Sequence, residues 1–382
     1  MRRPGLLLIA LSLVAIVVWW PLLLGPVARG GVVLVSVYSS ALSGSNAVAA
    51  VTPEPRVSES SVDLAGVRSR VTWFAPGAGE RHPAMLIVNG ATPLGNDDAE
   101  TRRICDALAR AGYLVMLPEL GFLKEARLER AAPAQVDAAF ATMLQRGDAD
   151  PDRSGAFGFS VGGGILFAAA GRSDSALAGA RYLGALGAYF DIDTYLASVV
   201  TGTQRRHGAL EPWTPDPEAR LKLPLGAAMA LADEADRRAV GDAIRSSGGP
   251  LAVEAPATLG LEARALWAAL AETDYERALA RLAALPTGLR DTFSTLSPRT
   301  RWADVRVPVY WLHDEGDRFE PVSEAETAAV APRPAATRLQ LTRLLSHAAA
   351  LGPEARQQGA DFWVRELAGL LGFAVEVLRS AG

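Results

Sequence analysis

The chain is poor in the residues that would let thiols or metals carry its chemistry. It has one cysteine, Cys105, which excludes an intramolecular disulfide and a structural zinc site built on thiolates. A lone cysteine of this kind is expected as a small core residue. The chain has only four histidines, His82, His207, His313 and His347, and none stands at a His-x-x-x-His spacing. Its carboxylates follow no calcium-loop pattern, so no metal and no other cofactor is expected. Basic clusters are missing and the net charge is -4, which excludes nucleic acid as the expected partner.

Charge itself is missing from one long stretch. Arg2 and Arg3 precede Gly5 to Gly25, which is uncharged and interrupted only by Ser12 and Pro21. About 20 apolar residues cross a bilayer as a helix. Trp19 and Trp20 suit the interfacial belt, and the leading arginines favour a cytoplasmic N-terminus. The stretch reads as an uncleaved membrane anchor. The competing reading is a cleaved signal peptide with Ala47-Val48-Ala49 as its small-residue site, which lies far beyond the apolar run. Gly30 to Pro53 is also uncharged but diluted by serines and Asn46. If it crosses as well, the folded domain returns to the cytoplasm; if it lies at the interface, the domain faces outward, away from the cytoplasm. Residues 1–52 are thus expected to form an anchor of one or two spans. A linker would run from 53 to 61, marked by Pro53 and Pro55, and the folded domain from 62 to 382.

What is present in quantity is apolar: 49% of the 382 residues are hydrophobic, enough for a sizeable core. The runs Ser69–Phe74, Ala84–Val88 and Tyr113–Leu117 read as strands, with a helix capped at Asn96, Asp97 or Asp98 running to Ala111. A helix over Ala134–Gln145, a strand from Gly155, a second helix and a strand over Tyr182–Tyr189 follow. Continuous apolar strands alternating with helices predict a mostly parallel sheet covered on both faces. Sites in such sheets form at the carboxyl ends of the strands. From about 191 to 301 the alternation stops, and helices near Pro217–Val240, Leu261–Ala271 and Tyr275–Ala284 predict a helical cap. Trp213, Trp267 and Phe293 there are either the wall of an apolar substrate pocket or the cap's own core. The sheet then resumes with strands over Val307–His313 and Thr337–Leu341, and a helix over Pro353–Leu371 closes the domain.

At the end of the Gly155 strand stands Gly158-Phe159-Ser160-Val161-Gly162, the Gly-x-Ser-x-Gly pattern of a strand-to-helix nucleophile elbow. Gly158 and Gly162 remove side chains that would collide with the neighbouring strand and helix, and Ser160 is expected at the strained tip. Chance alone also produces this pattern in a chain with 36 glycines. Its weight therefore depends on a base and an acid elsewhere. Of the histidines, His347 alone falls in a loop after the last strand, where a base can reach Ser160. Asp317 lies in the loop after the preceding strand, with Asp314 and Glu315 as rivals. The order Ser160, Asp317, His347 is nucleophile, acid, base.

From about Val62 to Leu371 the chain resembles an α/β-hydrolase, nearest to the dienelactone-hydrolase-like and acyl-peptidase-like esterases. The resemblance rests on Asp150-Pro151-Asp152-Arg153-Ser154-Gly155 leading into Gly158-Phe159-Ser160-Val161-Gly162-Gly163. It rests also on His313-Asp314-Glu315-Gly316-Asp317 with the later Pro321. Asp314 stands where those proteins commonly have glycine, and Asn89-Gly90 where they usually have His-Gly. The resemblance implies an α/β-hydrolase fold with a helical cap insertion, and an oxyanion hole made by the backbone N–H groups of Ala91 and Val161. It implies a serine hydrolase that cleaves a small-molecule or lipid-like carboxylic ester through an acyl-enzyme. Alternatives are a peptidase or acyltransferase with the same triad, or a non-catalytic membrane-tethered relative.

Overall fold

The computed structural model describes residues 25–77, 81–249, 251–252, 254–347, 351–352 and 355–380. All of the expected Gly5–Gly25 span except Gly25 lies outside these residues. So do Ala348 of the histidine loop and Pro353, the expected start of the last helix. The first described element is a helix over residues 25–43 (α1). After it come β1 (Arg56–Leu64), β2 (Val67–Ala75), β3 (His82–Val88), α2 (Ala99–Arg110), β4 (Leu114–Pro118), α3 (Gly121–Lys124), α4 (Ala132–Leu144), β5 (Ala149–Phe159), α5 (Val161–Ala170) and β6 (Leu183–Leu186). The insertion consists of α6 (Ile192–Thr201), a hairpin of β7 (Thr203–Arg206) and β8 (Ala209–Pro212), and the helices α7 (Pro217–Met229), α8 (Glu234–Ser247), α9 (Leu261–Leu270), α10 (Tyr275–Ala283) and α11 (Thr287–Leu296). The chain ends with β9 (Val309–Asp314), α12 (Val322–Val330), β10 (Thr337–Thr342) and α13 (Ala360–Ser380).

One eight-stranded sheet, in the order β1-β2-β4-β3-β5-β6-β9-β10, organises these elements. The β1–β2 and β2–β4 pairs are antiparallel, and the rest of the sheet is parallel. The central strands are apolar throughout because both their faces are covered: all seven residues of β3 and all five of β4 are buried. On one face Leu86, Ala156 and Trp311 pack with Phe140, Ile165 and Phe167 of α4 and α5. On the other, Met85, Ile87 and Phe159 pack with Cys105 and Leu108 of α2 and Phe373 and Val377 of α13. Cys105 is fully buried there, and burial pushes its thiol well up, so it remains a core residue.

Two stretches differ from the sequence expectation. Arg56–Ser61, expected to belong to a linker, begins strand β1, whose residues are almost all exposed. It is an edge strand with few apolar residues, held by its ladder to β2 rather than by burial. Residues 30–53, weighed above as a second span, are largely α1, which lies against the domain. Ser36, Val37 and Tyr38 are buried, and Val37 packs on Ala107 while Tyr38 packs on Leu344 and Leu370. Among the described residues no helix is long and apolar enough to cross a membrane.

The insertion is helical as expected, apart from the polar hairpin β7–β8. The stretch read as one helix over Pro217–Val240 is two, α7 and α8, each started by an aspartate cap, Asp216 and Asp233. Trp213, Trp267 and Phe293 are buried in the core cluster and belong to the cap's own packing. Trp213 does more: its indole N–H donates to the main-chain oxygen of Asp317 at 2.8 Å.

Candidate active site

The elbow is built from backbone contacts. Ser160 lies between β5 and α5 with φ 52° and ψ -134°, a conformation that a non-glycine residue holds only when its surroundings impose it. A Cβ at Gly162 would lie 2.0 Å from the Asn89 carbonyl oxygen, and one at Gly158 would lie 2.5 Å from Cα of Gly163. Both positions therefore require glycine, as the motif predicts. Ser160 is nearly buried and stands at the first turn of α5, where unpaired N–H groups favour negative charge.

Asn89, Gly90 and Ala91 leave β3 beside it. A Cβ added to Gly90 would sit 3.2 Å from Cβ of Ser160, so the backbone of this loop runs directly past the serine. The Asn89 side chain fixes the loop: its amide donates to the Gly95 carbonyl at 2.9 Å. Its oxygen accepts from Gly90 N–H and from the Thr101 hydroxyl, both at 2.8 Å. Asparagine here serves as an internal brace. Lys222 of α7 reaches from the cap to the Ala91 carbonyl at 3.2 Å.

The opposite wall is electrostatic. Asp317, in the loop after β9, is buried and faces Nδ1 of His347 through Oδ2 at 2.9 Å. The rivals are placed elsewhere. Asp314 accepts from the main-chain N–H groups of Gly316 and His347, and Glu315 pairs with Arg343 at the surface. His347 has φ 52°, so two of the five non-glycine residues with positive φ among the described residues are Ser160 and His347. Phe319 stacks on its ring at 4.7 Å. His313 is fully buried and holds the loop, its Nε2 lying 3.1 Å from the Glu320 carbonyl and 3.6 Å from Oδ2 of Asp317. His82 begins β3, and His207 is an exposed turn residue of the cap hairpin.

One residue at the centre escaped the sequence reading. Glu320, three positions past Asp317, is 1% exposed. Its Oε1 accepts the hydroxyl of Ser160 at 2.8 Å, and its Oε2 lies 3.1 Å from Nδ1 of His347. Among the described residues the Ser160 hydroxyl is thus hydrogen-bonded to Glu320 and not to His347. Tyr195 of α6 also bonds the Glu320 carboxylate. The only sequence signal was an acidic residue just before Pro321 in a loop already marked by Asp317.

These neighbours shift one another. Burial pushes the Glu320 carboxyl up to about 7, with the Asp317 charge adding to the effect. Burial alone would push the His347 imidazole down, but the Asp317 and Glu320 carboxylates outweigh it and hold the ring up at about 9. Burial also opposes the charge of Asp317, yet the imidazole beside it keeps its carboxyl below the usual range. Asp317, Glu320 and His347 are close enough to share a cation. Nδ1 of His347 is hydrogen-bonded to Oδ2 of Asp317 at 2.9 Å, and Oε2 of Glu320 lies 3.1 Å from the same nitrogen as an ion-pair contact.

Ser160, Val161, Ala91, Glu320, Phe319 and His347 line one cavity of about 230 Å³ under α7 of the cap. No family profile matches the sequence, and no curated protein matches it. Solved structures do. A 2,6-dihydroxy-pseudo-oxynicotine hydrolase superposes at a TM-score of 0.50 and 13% identity, over 85% of this chain and 68% of that one. The fold is that of the α/β-hydrolases. An acylaminoacyl peptidase from Pyrococcus horikoshii matches at a TM-score of 0.49 and 12% identity, over 84% of this chain. The match spans only 41% of the peptidase's own length. A dienelactone hydrolase from Anabaena variabilis matches at 0.41 and 12%, over 85% of this chain and 97% of that one.

Proposed function

We propose that the protein is a serine hydrolase that cleaves a carboxylic ester through an acyl-enzyme. The observation that carries this reading is Ser160, held at φ 52° on the first turn of α5 and lining one cavity with His347, whose Nδ1 is paired with the buried Asp317. In the reaction the Ser160 oxygen attacks the carbonyl carbon, and the carbonyl electron pair moves onto oxygen. The N–H groups of Ala91 and Val161 receive that oxyanion; each such donor is typically worth about 3 kcal/mol in the transition state. His347, oriented through Nδ1 by Asp317, gives a proton to the leaving alcohol and takes one from the hydrolytic water. The cavity's mixture of apolar wall and few polar groups suits a small or lipid-like ester.

Incubation of the purified protein with a fluorophosphonate probe tests the reading. Labelling of the wild type and none of Ser160→Ala supports it; a folded wild type that resists labelling contradicts it. Turnover of matched ester and amide substrates separates an esterase from a peptidase using the same residues.

The proposal extends to location. The uncharged run Gly5 to Gly25 leads into α1, and we read it as an anchor that tethers the domain to a membrane with the domain on the outer side. Retention in the membrane pellet after alkaline carbonate extraction supports the anchor, and release into the supernatant opposes it.

A further inference from the structure

The triad leaves one buried ionisable group without a task. Glu320 touches the reacting oxygen of Ser160 at 2.8 Å, and the same carboxylate lies 3.1 Å from Nδ1 of His347. A carboxylate excluded from water survives in such a place only if it is paired and hydrogen-bonded. Here its partners are the Ser160 hydroxyl and the His347 imidazole. The groups facing it are Asp317 from its own loop, His347 from the loop after β10, Tyr195 from α6 and Tyr189 from the segment after β6. Both tyrosine hydroxyls are pushed well up by burial and stay protonated, so neither competes as a base.

Resting on the acyl-transfer reading above, we propose that Glu320 is a further catalytic residue. It takes the proton of Ser160 directly during acylation, while the imidazolium of His347 is the acid that protonates the leaving group. The steps balance. The O–H bond of Ser160 breaks and its proton passes to Oε1 of Glu320 as the serine oxygen bonds the carbonyl carbon. Collapse of the tetrahedral intermediate breaks the bond to the leaving oxygen, which takes a proton from Nε2 of His347. Glu320 is then neutral and the imidazole is neutral. In deacylation water gives its proton to His347 as it attacks, and Ser160 recovers its own from Glu320. The starting charges return. The environments support this division of labour, since a carboxyl raised to about 7 is a competent base and an imidazole held up at about 9 is a competent acid near neutral pH.

Fluorophosphonate labelling isolates the base, because fluoride departs without needing a proton. The proposal expects the wild-type labelling rate to rise with pH through about 7, the Glu320 range. A base role for His347 alone would place that rise near 9 instead, and such a profile would overturn the proposal. Glu320→Gln keeps the shape and removes the base. It is expected to label at least about 100-fold more slowly at pH 8 while still unfolding in one cooperative transition. Labelling of folded Glu320→Gln at the wild-type rate, with the wild-type pH profile, would equally overturn it. If Glu320→Gln does not fold, the wild-type profile decides. Failure of Ser160 to label at any pH would remove the serine-hydrolase reading and this proposal together. Fast Ser160 labelling with no Glu320 effect would remove this proposal alone.

Discussion

The two walls of the cavity around Ser160 are held by different forces. The elbow wall is a matter of backbone packing: glycines at Gly158 and Gly162 let a strand, a loop and a helix meet at distances no side chain permits. The acid wall is a matter of charge. Asp317, Glu320, His313 and His347 are buried or nearly so and hold one another through hydrogen bonds and close charge contacts, with Trp213 of the cap bracing the loop from outside. The elbow wall should therefore respond to volume and be indifferent to pH, whereas the acid wall should respond to charge and tolerate small losses of volume.

The largest expected effect comes from breaking the elbow by volume. Gly162→Ala would press a methyl into the Asn89 carbonyl, and we expect it to cost at least about 3 kcal/mol of stability or prevent folding. Chemical denaturation checks this. On the acid wall, Asp317→Asn keeps the volume and removes the charge that orients His347. Activity should fall by about 10⁴-fold. Asp314→Asn, at a carboxylate whose hydrogen bonds among the described residues come from main-chain N–H groups, should cost less than about 10-fold. A reversal of that order in steady-state kinetics would mean that the other carboxylate orients the imidazole.

The pH dependence of stability sharpens the same contrast. His347 has a folded pKa above its unfolded value, so its contribution is complete below about 6.5 and is lost as pH rises through about 9. Glu320, raised by burial, acts in the same direction: ionising it from about 4.5 to about 7 costs more in the folded state than in the unfolded one. The melting temperature should fall between pH 6 and 9. His347→Gln should remove the part of that fall nearest pH 9, and Gly162→Ala, if it folds, should leave the slope untouched. The smallest effect concerns the cap. Trp213→Phe removes the N–H that holds the Asp317 main chain, and a loss of about 10-fold in kcat/KM is expected, with binding and stability nearly preserved.

These differences also explain what could be read from the chain itself. The elbow is local: Gly158, Ser160 and Gly162 stand within five positions, and the steric reason for each glycine follows from the strand-turn-helix pattern around them. The sheet was equally legible, because strands buried on both faces are apolar along their whole length, as β3 and β4 are. The edge strand β1 and the hairpin β7–β8 were not, since their exposed polar residues resemble a linker and a loop. Asp317 and His347 could be singled out by type and by the strands they follow. Glu320 could not, because its meaning arises from a contact with Ser160 across 160 positions of chain. Nor could the reach of Lys222 to Ala91 or of Trp213 to Asp317, which depend on how the cap docks.

The account rests on Ser160 being the nucleophile, and site-resolved labelling tests that most directly. Wild-type protein treated with a fluorophosphonate probe, digested and analysed by mass spectrometry should carry the modification on Ser160, with none on Ser160→Ala. Labelling at another residue, or no labelling of a folded wild type, would contradict the account.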